Sequence, residues 1–176
     1  YGPTSGLPEL IDSLSLFLEE KGLPVAENKI IITTGSLQAI NILAKAFINP
    51  GDTILVENPC FIGATSVFNS YEANIKSVPL TQDGIALDQL EVLLNELEEK
   101  PKFIYLAPDF HNPAGTLYSA EKKRKLIELL DGKGVPIIED DVYSDLYFDE
   151  ADKEHLMSIK AINPSGVEVY YTGSFS

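Results

Sequence analysis

Short apolar runs rich in β-branched residues alternate along the chain with longer segments of helical periodicity. Residues 53–56, 103–107 and 135–139 are strand-like runs, whereas residues 7–21 and 87–99 place leucine and isoleucine along one helix face. This alternation is typical of a domain in which helices cover both faces of a largely parallel sheet. The sequence therefore predicts an α/β fold, a three-layer α/β/α domain with a mostly parallel sheet.

The other predicted elements continue the same alternation. We expect further strands over 29–33, 74–78 and 167–172, and further helices over 36–49, 61–71 and 119–130. The last of these helices begins after Ser119, whose hydroxyl is a favourable N-cap.

Clusters of polar or small residues follow five of the predicted strands at the point where each strand ends. They occupy residues 34–36, 57–59, 111–115, 140–141 and 173–174. Ligands of open α/β sheets bind outside the carboxyl ends of the strands. We therefore expect these five clusters to outline one site.

The charge of the chain argues against two classes of partner. Its formal net charge is −14, which disfavours binding of nucleic acid or an anionic membrane by this segment. The basic cluster at 122–125 is accompanied by Glu121 and Glu128, so we interpret it as a solvated helix face. No apolar run reaches the length that spans a bilayer.

Cysteine and histidine usage bears on redox environment and metals. Cys60 is the one cysteine of the sequence, so no internal disulfide can form, which fits a cytoplasmic location. His111 and His155 lack partners at metal-ligand spacing, and no metal site is predicted.

Several motifs have both a structural and a functional interpretation. Ser36 could cap a helix, or the segment around it could bring backbone N–H groups to a phosphate. Asn112 could belong to a plain turn, or it could donate a hydrogen bond to a phenolate-type oxygen. The acids at 139–141 could be solvated, or they could face a buried cation such as a protonated ring nitrogen. Residues 173–176 could form a turn or a second phosphate clamp.

The motifs taken together, in order and spacing, resemble the fold-type I pyridoxal-phosphate (PLP) aminotransferases, class I/II, near the aminoadipate, kynurenine and aromatic aminotransferases. The motifs are Tyr-Gly-Pro-Thr-Ser-Gly (1–6), Thr-Gly-Ser-Leu-Gln-Ala (34–39), Glu-Asn-Pro-Cys-Phe (57–61), Asn-Pro-Ala-Gly (112–115), Glu-Asp-Asp-Val-Tyr (139–143) and Gly-Ser-Phe-Ser (173–176). They cover essentially the whole chain.

The resemblance assigns roles around the ring of pyridoxal 5'-phosphate. Asp140 is expected to pair with the pyridine nitrogen, and Asp141 is the competing candidate, although the spacing to Tyr143 favours Asp140. Asn112 and Tyr143 are expected to hydrogen-bond the phenolic oxygen. Phe61 matches the aromatic residue that stacks on the ring face, where tyrosine or tryptophan is common in the family.

The resemblance also assigns the phosphate ligands and an oligomeric state. Ser36 and Leu37 are expected to bind the phosphate through backbone N–H groups, and Ser174 and Ser176 through hydroxyls. Tyr1 matches a tyrosine that reaches the phosphate bound by the neighbouring subunit. This last match implies a homodimer with shared active sites.

By the same resemblance, residues 1–176 form the first part of a PLP-binding large domain. The lysine that forms the Schiff base is expected directly after Ser176. The N-terminal arm and the C-terminal small domain, which carries the arginine for the substrate carboxylate, are expected outside these residues. No catalytic residue is therefore assigned within the segment.

The implied function is transamination of an amino acid to its 2-oxo acid. Two alternatives share the cofactor constellation. One is the aminotransferase-like, PLP-sensing domain of a helix-turn-helix transcription regulator, although such domains usually carry an aromatic residue where Asn112 stands. The other is a PLP-dependent β-lyase, from which nothing in the segment distinguishes a transaminase.

Overall fold

The structure, a computed structural model, describes residues 2–23, 25, 30–164 and 166–175 of the chain. Its α-helices are α1 Pro8–Glu20, α2 Ser36–Phe47, α3 Ile62–Ser70, α4 Leu87–Glu96, α5 Ala120–Leu130 and α6 Ile159–Ile162. Its strands are β1 Thr53–Asn58, β2 Asn74–Thr81, β3 Gly84–Ile85, β4 Ile104–Leu106, β5 Ile137–Asp141 and β6 Val169–Gly173. The 3₁₀ helices Ser144–Leu146 and Glu150–His155 lie between β5 and α6. Within the described residues, no helix combines the length and apolar character needed to cross a membrane.

The strands form one sheet in the order β3-β2-β1-β4-β5-β6. The pairs β1–β2, β1–β4, β4–β5 and β5–β6 are parallel, whereas β3 pairs antiparallel with β2 at the edge. Parallel neighbours require crossover connections, and helices supply each of them. The predicted three-layer α/β/α fold with a mostly parallel sheet is confirmed.

Alternate residues of each strand enter two separate apolar cores on opposite faces of the sheet. Leu55, Ile104 and Ile137 pack against α4, α5 and α6. Ile54 and Ile138 pack against α2 and α3. They are adjacent in sequence to Leu55 and Ile137, respectively. Because helices cover both faces, the central strands are buried on both sides, as parallel strands require.

Helix α2 runs opposite to the strands. Near its carboxyl end, the ring of Phe47 lies 6.2 Å from that of Phe103, just before β4, and 5.1 Å from that of Tyr170, near the start of β6. The 12 residues of α2 extend roughly 18 Å, and a five-residue strand such as β6 extends roughly 17 Å. The first residue of α2, Ser36, therefore lies at the carboxyl edge of the sheet.

The predicted strand over 29–33 is wrong for its described part. Residues 30–33 adopt no strand conformation, because no neighbouring strand among the described residues pairs with them. The backbone N–H of Ile32 instead donates to the carbonyl of Ser5 at 2.8 Å. Lys29 lies outside the described residues.

Three of the polar clusters that were expected after the strands lie wholly or partly within them, and the third contributes Gly173 to β6. β1 extends through Glu57 and Asn58, and β5 extends through Glu139, Asp140 and Asp141. The acids are buried and hydrogen-bonded in the sheet register, so the sheet continues past the apolar runs that indicated the strands.

The interpretation of residues 122–125 as a solvated face is wrong at Lys123. Its Nζ is buried and lies 2.6 Å from Asp109 Oδ1, and it also donates to the carbonyls of His155 at 2.7 Å and Met157 at 3.1 Å. Residue 123 occupies the first position of the buried stripe 123, 126, 127 and 130 of α5, a helical spacing that the cluster of charges concealed.

We expect Lys123→Ala to lower the free energy of unfolding by about 3–5 kcal/mol, because removal of one partner leaves a buried charge uncompensated. Lys125, two residues along, forms an exposed ion pair with Glu121. Lys125→Ala should leave the free energy of unfolding close to that of the parent protein, because an exposed ion pair contributes little. Urea denaturation of the two variants measures both quantities, and equal losses would contradict the assignment.

Candidate active site

Asp140 lies at the carboxyl edge of the sheet, on the face covered by α2 and α3. It is 5% exposed. Its Oδ2 accepts a hydrogen bond from the hydroxyl of Tyr105 at 2.6 Å, and its Oδ1 accepts one from the hydroxyl of Thr172 at 2.8 Å. Tyr105 comes from β4 and Thr172 from β6, so the strands on both sides of β5 fix this carboxylate.

The surroundings of Asp140 leave its charge under-compensated. Burial raises the pKa of its carboxyl, the hydroxyls of Tyr105 and Thr172 oppose this effect, and the charges of Asp141 and Glu57 add to it. Within the described residues, Asp140 forms no ion pair with a cation. A cationic group placed beside it would favour its ionised form.

Phe61 and Leu37 lie side by side at the same edge. A Cβ placed on Gly63 would lie 2.5 Å from Cζ of the Phe61 ring and 3.3 Å from Cδ1 of Leu37. Only glycine at residue 63 therefore lets the Phe61 ring lie across the start of α3 and next to the start of α2. This contact joins the beginnings of the two helices above the sheet.

The first turn of α2 offers backbone donors. Gly35 is the N-cap with φ +97°, and no side chain caps the helix. Ser36 is thus the first helical residue, and the interpretation of Ser36 as the N-cap is wrong. The N–H groups of Ser36 and Leu37 belong to a first turn, which lacks intrahelical acceptors and carries the positive end of the helix dipole.

Asn112 is exposed in a tight turn that follows β4. The N–H of Gly115 donates to the carbonyl of His111 at 2.6 Å, and the N–H of His111 donates to the carbonyl of Thr116 at 2.8 Å. The turn is therefore present, and β4, which leads into it, lies between β1 and β5 in the sheet.

Two further predicted residues follow the ends of β5 and β6, and two others cannot be placed. Tyr143 is half-buried two residues after the end of β5, and Ser174 is half-buried directly after Gly173, the partner of Asp141 in the sheet register. Tyr1 and Ser176 lie outside the described residues. The roles of all these side chains stay predictions.

Asp141 faces the opposite layer from Asp140, because successive residues of a strand alternate between faces. Its carboxylate accepts hydrogen bonds from the N–H and hydroxyl of Ser144, at 3.1 and 2.7 Å, and from the hydroxyl of Tyr171 at 2.7 Å. Glu139, on the same face as Asp141, accepts the N–H groups of Ile159 and Lys160. Asp141 thus accepts three hydrogen bonds on the face away from α2 and Phe61, which favours Asp140 over Asp141 as the group available to a ligand.

Sequence reasoning did not identify the hydroxyl donors of Asp140 or the neighbourhood of Cys60. Burial and the charge of Glu57 raise the pKa of the Cys60 thiol to about 12, so it stays protonated near neutral pH. Tyr105 and Thr172 had one available signal: the alternation of strand residues places both on the face of Asp140.

We expect Tyr105→Phe to raise the pKa of Asp140 further, because it removes a hydrogen bond to the carboxylate that is worth about 1.5–3 kcal/mol. A carbon-detected NMR titration of the cofactor-free protein measures this pKa. A folded-state pKa above the unfolded value means that stability is lost as pH rises from the unfolded value to the folded one. In the variant, the pH range over which stability declines should therefore extend to a higher pH than in the parent protein.

Tyr171→Phe is the matched control, since its hydroxyl bonds Asp141 on the other face. It should leave the pKa of Asp140 unchanged. An equal rise in both variants would show that the effect is not specific to the Tyr105 contact.

Comparison with known proteins identifies the family. The family model described as aminotransferase class I and II matches residues 1–176. The aromatic-amino-acid aminotransferase 1 of Thermococcus litoralis is 36% identical over 180 residues, which cover 100% of this chain and 42% of that protein. An uncharacterized helix-turn-helix-type transcriptional regulator of Bacillus subtilis is 30% identical over 176 residues, which cover 100% of this chain and 35% of that protein.

A solved structure gives the same answer. The α-aminoadipate aminotransferase of Thermus thermophilus, crystallised with N-(5'-phosphopyridoxyl)-L-leucine, superposes with a TM-score of 0.88 at 34% identity, over 100% of this chain and 43% of that one. The chain spans about two-fifths of the length of the aminotransferases it matches. The chain belongs to the class I and II aminotransferase family.

Proposed function

We propose that residues 1–176 are the first part of the PLP-binding large domain of an aminotransferase, which converts an amino acid to its 2-oxo acid. The observation that carries this proposal is Asp140, a buried carboxylate at the carboxyl edge of the sheet that has no countercharge within the described part of the chain. Its position on the face of α2 and α3 leaves it on the same side as the uncapped start of α2.

The described residues fit this cofactor. A protonated pyridine nitrogen would supply the positive charge that pairs with the Asp140 carboxylate. The N–H groups of Ser36 and Leu37 suit a phosphate, as free helix starts do. The ring of Phe61 lies beside Leu37 and offers an aromatic face for stacking.

The remaining contacts of the cofactor would come from the loops at the strand ends. Asn112 and Tyr143 would hydrogen-bond the phenolic oxygen, and Ser174 and Ser176 would add hydroxyls to the phosphate site. Tyr1 would reach the phosphate of a second subunit. A lysine directly after Ser176 would anchor the cofactor and move the α-proton of the substrate.

When bound, PLP supplies an electron-withdrawing ring that stabilises negative charge at the α-carbon of an amino acid. The part of Asp140 is to hold a proton on the pyridine nitrogen, and the hydroxyls of Tyr105 and Thr172 hold Asp140 in place. Because both oxygens of Asp140 already accept hydrogen bonds, its orientation is fixed before any ligand arrives.

The test is made on the full-length protein. Purified protein should show the visible absorbance of bound PLP, and borohydride should fix the cofactor to the lysine after Ser176, as mass spectrometry of peptides would show. Asp140→Asn should lower the rate of amino-group transfer by roughly 10- to 100-fold, because a charge-assisted hydrogen bond of about 1.5–3 kcal/mol is lost.

Asp141→Asn is the matched control, and it should retain most of that rate because Asp141 faces the other layer. Absence of the visible absorbance, or a larger loss in Asp141→Asn than in Asp140→Asn, would refute the assignment. Release of ammonia instead of transfer of the amino group would identify a β-lyase.

We further propose that the full-length protein is a homodimer with shared active sites that works in the cytoplasm on amino acid and 2-oxo acid substrates. Leu37 and Ile62, which are 46% and 77% exposed at the starts of α2 and α3, form an apolar surface beside the proposed site that supports a covering subunit. The protonated thiol of Cys60 is compatible with a reducing compartment. Analytical ultracentrifugation should give the mass of two chains, and the mass of one chain would contradict the shared site.

A second candidate function is a PLP-sensing domain of a transcription regulator. The Bacillus subtilis regulator matches the whole of this chain, so the family alone does not separate the two. Asn112 favours the enzyme, for it retains a donor to the phenolic oxygen. A basic helix-turn-helix segment before residue 1 of the natural protein, together with DNA binding that responds to PLP, would favour the regulator.

A further inference from the structure

On the sheet face opposite Asp140, Glu57 connects β1 to the loop after β4. The side chain of Glu57 is fully buried. Its Oε2 accepts the backbone N–H of Ala107 at 2.8 Å, and its Oε1 accepts the hydroxyl of Tyr118 at 2.7 Å. Residues 107 and 118 are the two ends of the loop that carries Asn112. One carboxylate from a neighbouring strand therefore holds both ends of this loop.

The middle of the loop reaches the same carboxylate through His111. The Nε2 of His111 lies 3.3 Å from Glu57 Oε2, with both side chains fully buried. The alignment of this contact falls short of a hydrogen bond, so the attraction is electrostatic. The Nδ1 of His111 accepts the N–H of Ala114 at 3.2 Å, which places the proton of the neutral imidazole on Nε2, toward Glu57.

The hydroxyl of Tyr118 is held toward Glu57 by close packing. Gly84, at φ +131°, has no side chain, and a Cβ there would lie 2.8 Å from two atoms of the Tyr118 ring. The N–H of Tyr118 also donates to the carbonyl of Pro108 at 2.9 Å, which closes the base of the loop. The loop is therefore anchored on buried groups, although Asn112 itself is exposed.

We propose that Glu57 is a positioning residue that acts through His111 to set the orientation of Asn112. His111 fixes the turn through its side chain and its backbone. Its ring accepts the N–H of Ala114, and its carbonyl accepts the N–H of Gly115 at 2.6 Å. Asn112 lies between His111 and these two residues, so a shift of the imidazole moves the asparagine. This inference rests on the proposed function, in which Asn112 donates to the phenolic oxygen of PLP.

The test compares Glu57→Gln with Asn112→Ala in the full-length protein loaded with PLP. Loss of a donor to the phenolic oxygen disfavours its ionised form, so Asn112→Ala should raise the pKa of the pH-dependent change in visible absorbance by roughly half to one unit. Glu57→Gln keeps the volume but removes the charge that attracts His111. Glu57→Gln should raise the same pKa by a smaller amount, and it should cause no further rise in protein that already carries Asn112→Ala.

A second variant and a matched control separate positioning from a loss of stability. His111→Asn is too short to reach Glu57 and should raise the pKa in the same direction. Glu139→Gln alters another fully buried glutamate, which contacts α6 and not the loop, and it should leave the pKa unchanged. A wild-type pKa in both Glu57→Gln and His111→Asn, or a further rise in the double variant, would overturn the proposal.

Hydrogen exchange of the cofactor-free protein provides a readout that does not depend on PLP. Glu57→Gln should speed exchange of the Ala114 and Gly115 amides, whereas Glu139→Gln should not. If the full-length protein binds no PLP, or if Asn112→Ala leaves the absorbance unchanged, the assigned function of Asn112 fails. The exchange rates then decide the positioning by Glu57: faster exchange supports it and unchanged exchange refutes it.

Discussion

Buried negative charge at one edge of the sheet is the constraint on which the rest of this structure depends. Within the described residues, five carboxylates are buried there, those of Glu57, Asp109, Glu139, Asp140 and Asp141, and the one buried ammonium is that of Lys123. A buried carboxylate is tolerated only where donors replace its water. The loops and helix starts at this edge are arranged to supply those donors.

The strand alternation then divides the carboxylates by face and by purpose. Four of the five lie on the side of α4, α5 and α6, where they tie strands to loops: Glu57 holds the loop after β4, and Glu139 holds the start of α6. Asp140 lies on the other side, toward α2, and bonds neutral hydroxyls of its own sheet. The position of this carboxylate is therefore fixed by hydroxyls, and in the proposed function its countercharge comes from the cofactor.

The fold was predictable from the sequence because its signals are local and repeated. The apolar runs and helical periodicities predicted the layers and most elements within a few residues. The strand over 29–33 failed, since a strand is defined by its neighbour and periodicity says nothing about pairing. The edge strand β3 and the short α6 are stabilised by tertiary contacts of Ile85 and Ile159, which no local pattern encodes.

The motifs of the candidate site were predictable from the sequence, but the residues that hold their side chains in place were not. Asp140 stands in a recognisable motif, whereas Tyr105 and Thr172 bond it from 35 and 32 residues away in the sequence. His111 contacts Glu57, which lies in β1, on the far side of β2 to β4 in the sequence. Lys123 was misread because a charge in a charged cluster looks solvated, although its spacing matched the apolar stripe of α5. Long-range contacts of polar groups need the register of the sheet, which the sequence specifies only through the complete fold.

The buried charges also set a relation between stability and binding. Burial raises the pKa of Asp109 to about 6 and that of Glu139 to about 7, and it raises that of Asp140 as well. Each group holds its proton in the folded protein at a pH where the unfolded chain releases it, so the contribution of these three groups to stability declines as pH rises above about 4, over a range that reaches about 7 for Glu139.

A cation that binds beside Asp140 in the folded state reverses part of this loss, because it lowers the pKa of the carboxyl and binds the folded protein alone. In the proposed function, the electrostatic cost of burying Asp140 and its affinity for a protonated ring nitrogen thus have one physical origin. Replacement of Asp140 by a neutral side chain removes the electrostatic cost, but it removes the attraction for the ring nitrogen as well. In the proposed function, the carboxylate of Asp140 therefore serves the cofactor, whereas Glu57 holds the loop after β4 and Glu139 holds the start of α6.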